Sequence, residues 1–371
     1  MPYMLRQRMT TVGALAAIPT WRFKLPRVGK YTAFEIKVEA ERSADRADNT
    51  VVYPIESEIS KVELVEGGSR ALLSLTGPQL DASNYWSFGR PNARRHRNAA
   101  GTGNQIHLYI LGGRDLYDRE YGYDLDRLNE TYIEYTHLMD GDIAEEFDVS
   151  THTATIYGWR WMGDSLPAFK GLMRERQIAA WATTGADVLK TIPIPVGTDI
   201  RRIGVQAKTR AKTLGGTVTK IELMVNNGEY SPVTVNSPMD FTMQEVSDYD
   251  LNNELAGIDY AVAQTITEIP RWFSYYQSVL CQSTYVTGDT NIIANFITLP
   301  ANFTGVTNGN VEVCFSSRGY GFQKCLRLGF DHDHNGADLL KSSGFGALDL
   351  QLTEAAAATD AAVFYQDIVP Y

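Results

Sequence analysis

The chain is poor in the residues that most often carry chemistry. It has three cysteines in 371 residues, Cys281, Cys314 and Cys325. An odd count without a Cys-x-x-Cys pair supports neither a disulfide framework nor a zinc site, so reduced core thiols are expected. There is no His-Glu-x-x-His, no Gly-x-Ser-x-Gly, no Walker A loop and no Gly-x-Gly-x-x-Gly; Gly101-Thr102-Gly103 lacks the third glycine. No Cys/His pair has the spacing of a nucleophile and its base. Positive charge is also scarce. The net charge is -10, which argues against wrapping nucleic acid, because phosphate binding rests on clustered Lys and Arg. The one basic run, Arg94-Arg95-His96-Arg97, is short and reads as a solvated loop. Contact with an interior genome or a neighbouring subunit is its alternative reading. No apolar run approaches the ~20 residues that cross a bilayer. Residues 12–18, after Arg6 and Arg8, are too short and too weakly apolar for a signal peptide. Residues 1–18 therefore read as a flexible arm.

What the chain does have favours strands. Aromatics make up 11%, with 20 Tyr, and there are 31 Gly. Tyr, Val, Thr and Ile suit a pleated surface and Gly marks turns, so an all-β fold is expected. The length suits two domains of ~100–200 residues each. Phe34, Ile36, Val38 and Ala40 alternate with Glu35, Lys37 and Glu39, the period of a half-buried strand. Residues 59–64, 71–75, 106–111, 131–137 and 153–161 read as further strands. The Thr76-Gly77-Pro78-Gln79 sequence could open a short helix. Residues 165–183 break the β pattern. Pro167 precedes and Gly185 follows, and Leu166, Phe169, Leu172, Met173 and Trp181 have partial helical spacing. That stretch is expected to be a helical linker.

An internal repeat is visible. Residues 59–64 are Ile-Ser-Lys-Val-Glu-Leu and residues 218–223 are Val-Thr-Lys-Ile-Glu-Leu. Each is followed by a turn, Gly67-Gly68 or Asn226-Asn227-Gly228. The preceding strands match too, with Leu25-Pro26 then Ile36, Val38 and Ala40 against Ile194-Pro195 then Ile203, Val205 and Ala207. Tyr132 to Tyr135 and Leu348 to Leu352 repeat more loosely, as do Ile156 to Trp159 and Val363 to Tyr365. Two matched strands in the same order point to a duplicated domain.

Three stretches carry a family resemblance. The first is Lys61-Val62-Glu63-Leu64 with its turn, running into Ser74-Leu75-Thr76-Gly77-Pro78-Gln79-Leu80. The second is residues 108–118 (Leu-Tyr-Ile-Leu-Gly-Gly-Arg-Asp-Leu-Tyr-Asp), leading to Tyr132-Ile133-Glu134-Tyr135. The third is residues 343–353, Ser-Gly-Phe-Gly-Ala-Leu-Asp-Leu-Gln-Leu-Thr. Over residues 18–371 the chain resembles the double jelly-roll major capsid proteins of the lineage of tectiviruses, corticoviruses, adenoviruses and related tailless bacteriophages. These motifs are structural patterns. The resemblance implies an all-β fold of two tandem jelly-roll β-sandwiches with a short helical linker: an arm at 1–18, a first jelly roll at 19–163, the linker at 164–187 and a second jelly roll at 188–371. It implies a non-enzymatic protein of the virion, assembled in the host cytoplasm. Its copies would form a homotrimer of pseudo-sixfold outline that tiles an icosahedral capsid. Neighbouring capsomers, minor capsid or penton proteins and an internal membrane are the implied partners, without specific nucleic-acid binding. Long connections, such as residues 240–270, would form outer loops or contacts between capsomers.

Two other readings compete on residues. Asp331-His332-Asp333-His334-Asn335-Gly336 offers Asp331, Asp333 and Asn335 as candidate ligands of Ca2+, at the spacing of an EF-hand loop. Position 12 of that loop is Ser342 rather than Glu, so a polar turn is the plainer reading, with no cofactor. His332-x-His334 resembles part of a cupin metal motif, which would make the chain a bicupin metalloenzyme. No His follows His334, and the first half has no His-x-His. Alternatively, Trp159, Trp161, Trp272 and Phe273 could form the aromatic platform of a carbohydrate- or receptor-binding module.

Overall fold

The computed structural model describes residues 2–12, 20–42, 54–97, 101, 103–138, 147–209, 212–248, 254–262, 272–285, 293–296 and 311–371. The first half contains β1 (Tyr3–Val12), β2 (Thr20–Lys24), β3 (Lys30–Glu41), β4 (Ile59–Glu66), β5 (Arg70–Leu75), helix α1 (Gly77–Phe88), β6 (Arg94–Arg97), β7 (Gly103–Leu111), β8 (Tyr123–Asp124), β9 (Thr131–His137) and β10 (Asp148–Met162). The second half contains β11 (Gly171–Ala182), β12 (Leu189–Pro193), β13 (Asp199–Ala207), β14 (Val218–Val225), β15 (Tyr230–Val235), helix α2 (Pro238–Asp248), β16 (Glu254–Val262), β17 (Phe273–Tyr285), β18 (Ile293–Phe296), β19 (Val311–Phe322), β20 (Cys325–Gly329), β21 (Leu340–Lys341), β22 (Leu348–Glu354) and β23 (Asp360–Pro370).

Hydrogen-bonded neighbours repeat strand for strand. The first lobe has the orders β1-β10-β3-β7 and β2-β9-β4-β5. The second has β11-β23-β13-β20 and β12-β22-β14-β15. Short β8 pairs with β3, as β21 pairs with β13. Each lobe is thus two four-stranded antiparallel sheets facing each other, the arrangement of a jelly roll. Even single backbone bonds recur. Leu25 N–H donates to Thr131 O (2.9 Å), and Ile194 N–H donates to Leu348 O (2.8 Å).

Side-chain alternation fixes the faces. Val62, Leu64, Ile221 and Leu223 are fully buried, as are Ile36, Val38, Ile203 and Val205. Lys61 pairs with Glu63 and Lys220 with Glu222, each at 2.8 Å, on the outer faces. A one-residue slip would turn these sets inside out, so the apolar pattern pins the register. The turn after β4 uses Gly67 and Gly68 at φ 59° and 79°, and its counterpart uses Asn226, Asn227 and Gly228 at φ 52°, 58° and 94°. Positive φ favours these residue types. Helix α1 starts as the sequence suggests. Thr76 accepts from Gln79 N–H, Gln79 Oε1 accepts from Thr76 N–H, and Pro78 sits in the first turn.

The structure corrects four expectations. Tyr3–Val12 is no loose arm but strand β1, paired antiparallel with β10 from Tyr3↔Met162 to Val12↔Ala154. The expected helical linker contains strand β11 instead, bonded on one edge to β23 and on the other to β5. Ladder bonds on both edges satisfy its backbone, so its partial helical spacing has no force. β1 and β11 are the same strand of the two lobes. Residues 240–270 are not a single loop: α2 ends at Asp248 and β16 spans Glu254–Val262, while 263–271 lie outside the described residues. The basic run is a short strand, and the Arg94 side chain is buried. Cys325 is a free, buried thiol as expected; the side chains of Cys281 and Cys314 lie outside the described set.

Candidate functional site

The two lobes are joined by continuous sheet. β5 of the first lobe runs parallel to β11 of the second, pairing Leu73↔Glu175 and Ser74↔Arg176. The β2-β9-β4-β5 sheet thereby continues into β11-β23-β13-β20. β6 likewise pairs in parallel with β16 through Ile258↔His96 and Asp259↔Arg97.

Helix α1 fills the angle beside β5, and several of its polar side chains reach the other lobe. Ser83 Oγ donates to Glu175 Oε2 (2.6 Å), and Arg202 Nη2 donates to Ser83 Oγ (2.8 Å). Gln366 Nε2 donates to Glu175 Oε2 (3.1 Å), and Gln79 Nε2 donates to Gln177 Oε1 (2.8 Å). Trp86 stacks on Phe364 with centroids 5.7 Å apart. Gly204 makes room for that stack, since a Cβ there would lie 2.3 Å from the Phe364 ring. Burial, opposed by Glu175, pulls the Arg202 guanidinium below its ordinary range. A charge buried this deeply persists only when paired.

A second buried cluster draws on both halves. Arg94 bonds Glu56 and Asp81, both at 2.7 Å. Trp272 Nε1 (2.9 Å) and Gln323 Nε2 (2.8 Å) donate to the same Glu56 oxygen. A third pair, Arg327 with Glu245 (2.5 Å), lies under α2. These bonds are directional, so they hold the lobes at one angle rather than merely together. The C-terminal Tyr371 adds a tie: its hydroxyl donates to Gly122 O (2.7 Å) and accepts from Asp124 N–H (2.7 Å).

The outer face of the first lobe carries a related pair with its charges exchanged. Glu35 of β3 takes Arg6 of β1 (2.7 Å), His107 (2.6 Å) and Trp159 Nε1 (3.0 Å). It points away from the sandwich core, as the alternation predicts, yet is 1% exposed because these partners cover it. Burial pushes its carboxyl up, but the bonds from His107, Arg6 and Trp159 prevail and hold it at about 2.

The candidate calcium ligands are brought onto one turn but point to other tasks. Asp331 Oδ2 accepts from Arg201 Nε (2.9 Å) and its Oδ1 accepts from Gly336 N–H (2.7 Å). Asn335 Oδ1 accepts from Ala337 N–H (2.7 Å), and Asp333 is exposed. Arg201 also donates to His334 Nδ1 (2.8 Å). Burial, reinforced by that guanidinium, lowers the His334 imidazole to about 4. Among the described residues no group of three His, Cys, Asp or Glu could hold a metal ion. The aromatic platform is not assembled either: Trp161, Trp272 and Phe273 are buried, and Trp159 is turned to Glu35.

Sequence reasoning missed Glu175, Arg202, Glu56 and Asp81. They lie outside the apolar stripes of the two sandwich cores, so no periodicity marked them as buried. No protein-family model matches the chain, and no curated protein matches its sequence. Solved structures do match. The MCP of Sulfolobus turreted icosahedral virus shares 10% identity at a TM-score of 0.60, covering 100% of this chain and 97% of that one. The major capsid protein P2 of bacteriophage PM2 shares 11% identity at a TM-score of 0.51, covering 100% and 98%. VP54 of PBCV-1 shares 9% identity at a TM-score of 0.55, covering 99% and 94%. Strand order, internal duplication and these full-length matches lead to one conclusion: the chain has the double jelly-roll fold found in these viral capsid proteins.

Proposed function

We propose that this chain is the major capsid protein of an icosahedral virus, with a structural rather than catalytic role. One observation carries the reading: two jelly rolls repeat strand for strand in one chain and are locked by continuous sheet and buried ion pairs. A shell needs blocks of fixed shape, because an angular error at each contact accumulates around a closed surface. The solved proteins that share this fold over nearly their full length are capsid proteins. In this reading the copies associate as homotrimers, three chains supplying six similar lobes, and the trimers tile the capsid of the virion. Neighbouring capsomers, minor or penton proteins and an underlying membrane are the partners that follow. Assembly would take place in the host cytoplasm. The test is to purify the protein, measure its mass by light scattering and examine concentrated samples by electron microscopy. Trimers that build closed particles are expected. A monomer at every concentration, with no assembled form, would overturn the reading.

A further inference from the structure

Pairing registers equate residues between the lobes. Across the first lobe Arg8, Tyr157 and Glu35 form one row. Across the second, Glu175, Gln366 and Arg202 form the matching row. Arg8 therefore stands where Glu175 stands, and Thr10, opposite Ile156, stands where Arg176 does. On the other side, Leu64↔Leu73 and Glu63↔Ser74 match Leu223↔Val233 and Glu222↔Thr234. Val233 and Thr234 thus occupy the places of Leu73 and Ser74. Helix α2 follows β15 as α1 follows β5, with Asp240 three residues after Ser237 and bonded to its hydroxyl, as Gln79 is to Thr76.

Within the chain, the β5–α1 face is covered by β11. Among the described residues no strand covers the corresponding β15–α2 face or the free edge of β1: each strand ends its sheet. Glu175, Gln79 and Ser83 are buried, whereas their counterparts Arg8, Asp240 and Gln244 are exposed. Large exposed apolar side chains also occur on these elements, although on β1 they lie on the sheet face opposite Arg6 and Arg8. Tyr3 (56%) and Leu5 (41%) lie on β1; Tyr230 (48%), Met239 (44%) and Met243 (38%) lie on β15 and α2. The charges are opposite. β1 carries Arg6 and Arg8 and no acidic residue, while α2 carries Asp240, Glu245 and Asp248 and no basic one. Arg6 is taken by Glu35 and Glu245 by Arg327, which leaves Arg8 against Asp240 and Asp248 as the exposed charges.

We propose that β15 and α2 of one copy dock onto β1 of the next, repeating between chains the β5–α1 to β11 junction made within the chain. This deepens the shell reading and rests on it. The strands pair in parallel, Arg8 opposite Val233 and Thr10 opposite Thr234. Arg8, which donates to Thr11 Oγ1, meets Asp240, because Thr11 stands at the place of Gln177, the partner of Gln79. The contact is head to tail, and in the trimer proposed above three such contacts complete a ring.

The test uses the full chain with Arg8→Glu, Asp240→Lys and the two combined, and separately Thr10→Cys with Thr234→Cys. Each charge reversal should raise the dissociation constant of the oligomer roughly tenfold, and the combined variant should recover most of the loss. Under mild oxidation the cysteine pair should link chains to one another, and neither single cysteine should. Both altered charges are on exposed side chains, and circular dichroism serves as the folding control. An oligomer of normal affinity in both single reversals, without interchain links, overturns this interface and leaves the shell reading standing. A wild-type chain that never associates overturns both.

Discussion

Arg202 on β13 reaches across the lobe boundary and donates to Ser83 on α1 at 2.8 Å, while its Nε and Nη2 face the two oxygens of Glu175 at 3.3 Å. Removing the guanidinium would leave Glu175 buried and short of its main counter-charge. Arg202→Met should therefore cost about 3–5 kcal/mol. Adding Glu175→Gln should return part of that loss, so the double variant should be more stable than the sum of the singles. A urea-denaturation cycle checks this, and strict additivity would show that the two groups act independently.

The equivalence of the lobes predicts matched core sensitivities. Ile203→Ala and Ile221→Ala remove fully buried side chains and should each cost about 2–5 kcal/mol. Lys61, half-exposed beside Glu63, should cost under about 1 kcal/mol when changed to Ala. Thermal melts of the three variants under one buffer would rank them.

Acid should weaken the first lobe before its carboxylates titrate. Burial, with a smaller push from His137, lowers His152 to about 3. The folded state holds it neutral, whereas the unfolded chain takes up a proton below its ordinary 6.5. Stability is therefore complete above that value and falls as pH drops toward 3, by about 2 kcal/mol at pH 5. His334, lowered to about 4, acts in the same direction. Glu35, held at about 2, loses its contribution only below its ordinary 4.5. Melting temperatures between pH 7 and 5 should fall less steeply in His152→Gln than in the wild type.

Chelation should leave the melting temperature unchanged, since the Asp331 oxygens are taken by Arg201 and Gly336. Asp331→Asn should lower it with or without chelator, because Arg201 loses its ionised partner. A chelator-sensitive melt that Asp333→Ala abolishes would instead support a bound cation.

The strands that could be read were those in which apolar residues alternate with polar ones, whether the polar face is wet, as on β14, or buried, as on β13. β3, β4, β9, β13, β14 and β22 line the two cores, and their alternation survives in the sequence. The first strand of each lobe was missed both times, for opposite reasons. β1 is an edge strand with little burial on either face, so nothing selects alternation. β11 is covered on both faces in its first part, where Glu175 is buried against Ser83 and Arg202 instead of facing water. Period two reports an apolar face alternating with a polar one, and neither strand shows that alternation.

By itself the sequence determined the fold class, the duplication and the inward set of each sandwich. Short-range pattern suffices for these, because apolar alternation encodes register locally. It also placed helix α1, through a cap that Thr76 and Gln79 complete between themselves. Only the tertiary structure decided how the lobes meet. Glu56 and Gln323 lie far apart in sequence yet share one bond, as do Ser83 and Glu175. The worth of such a contact depends on burial and on a partner delivered by another strand, and no periodicity records either.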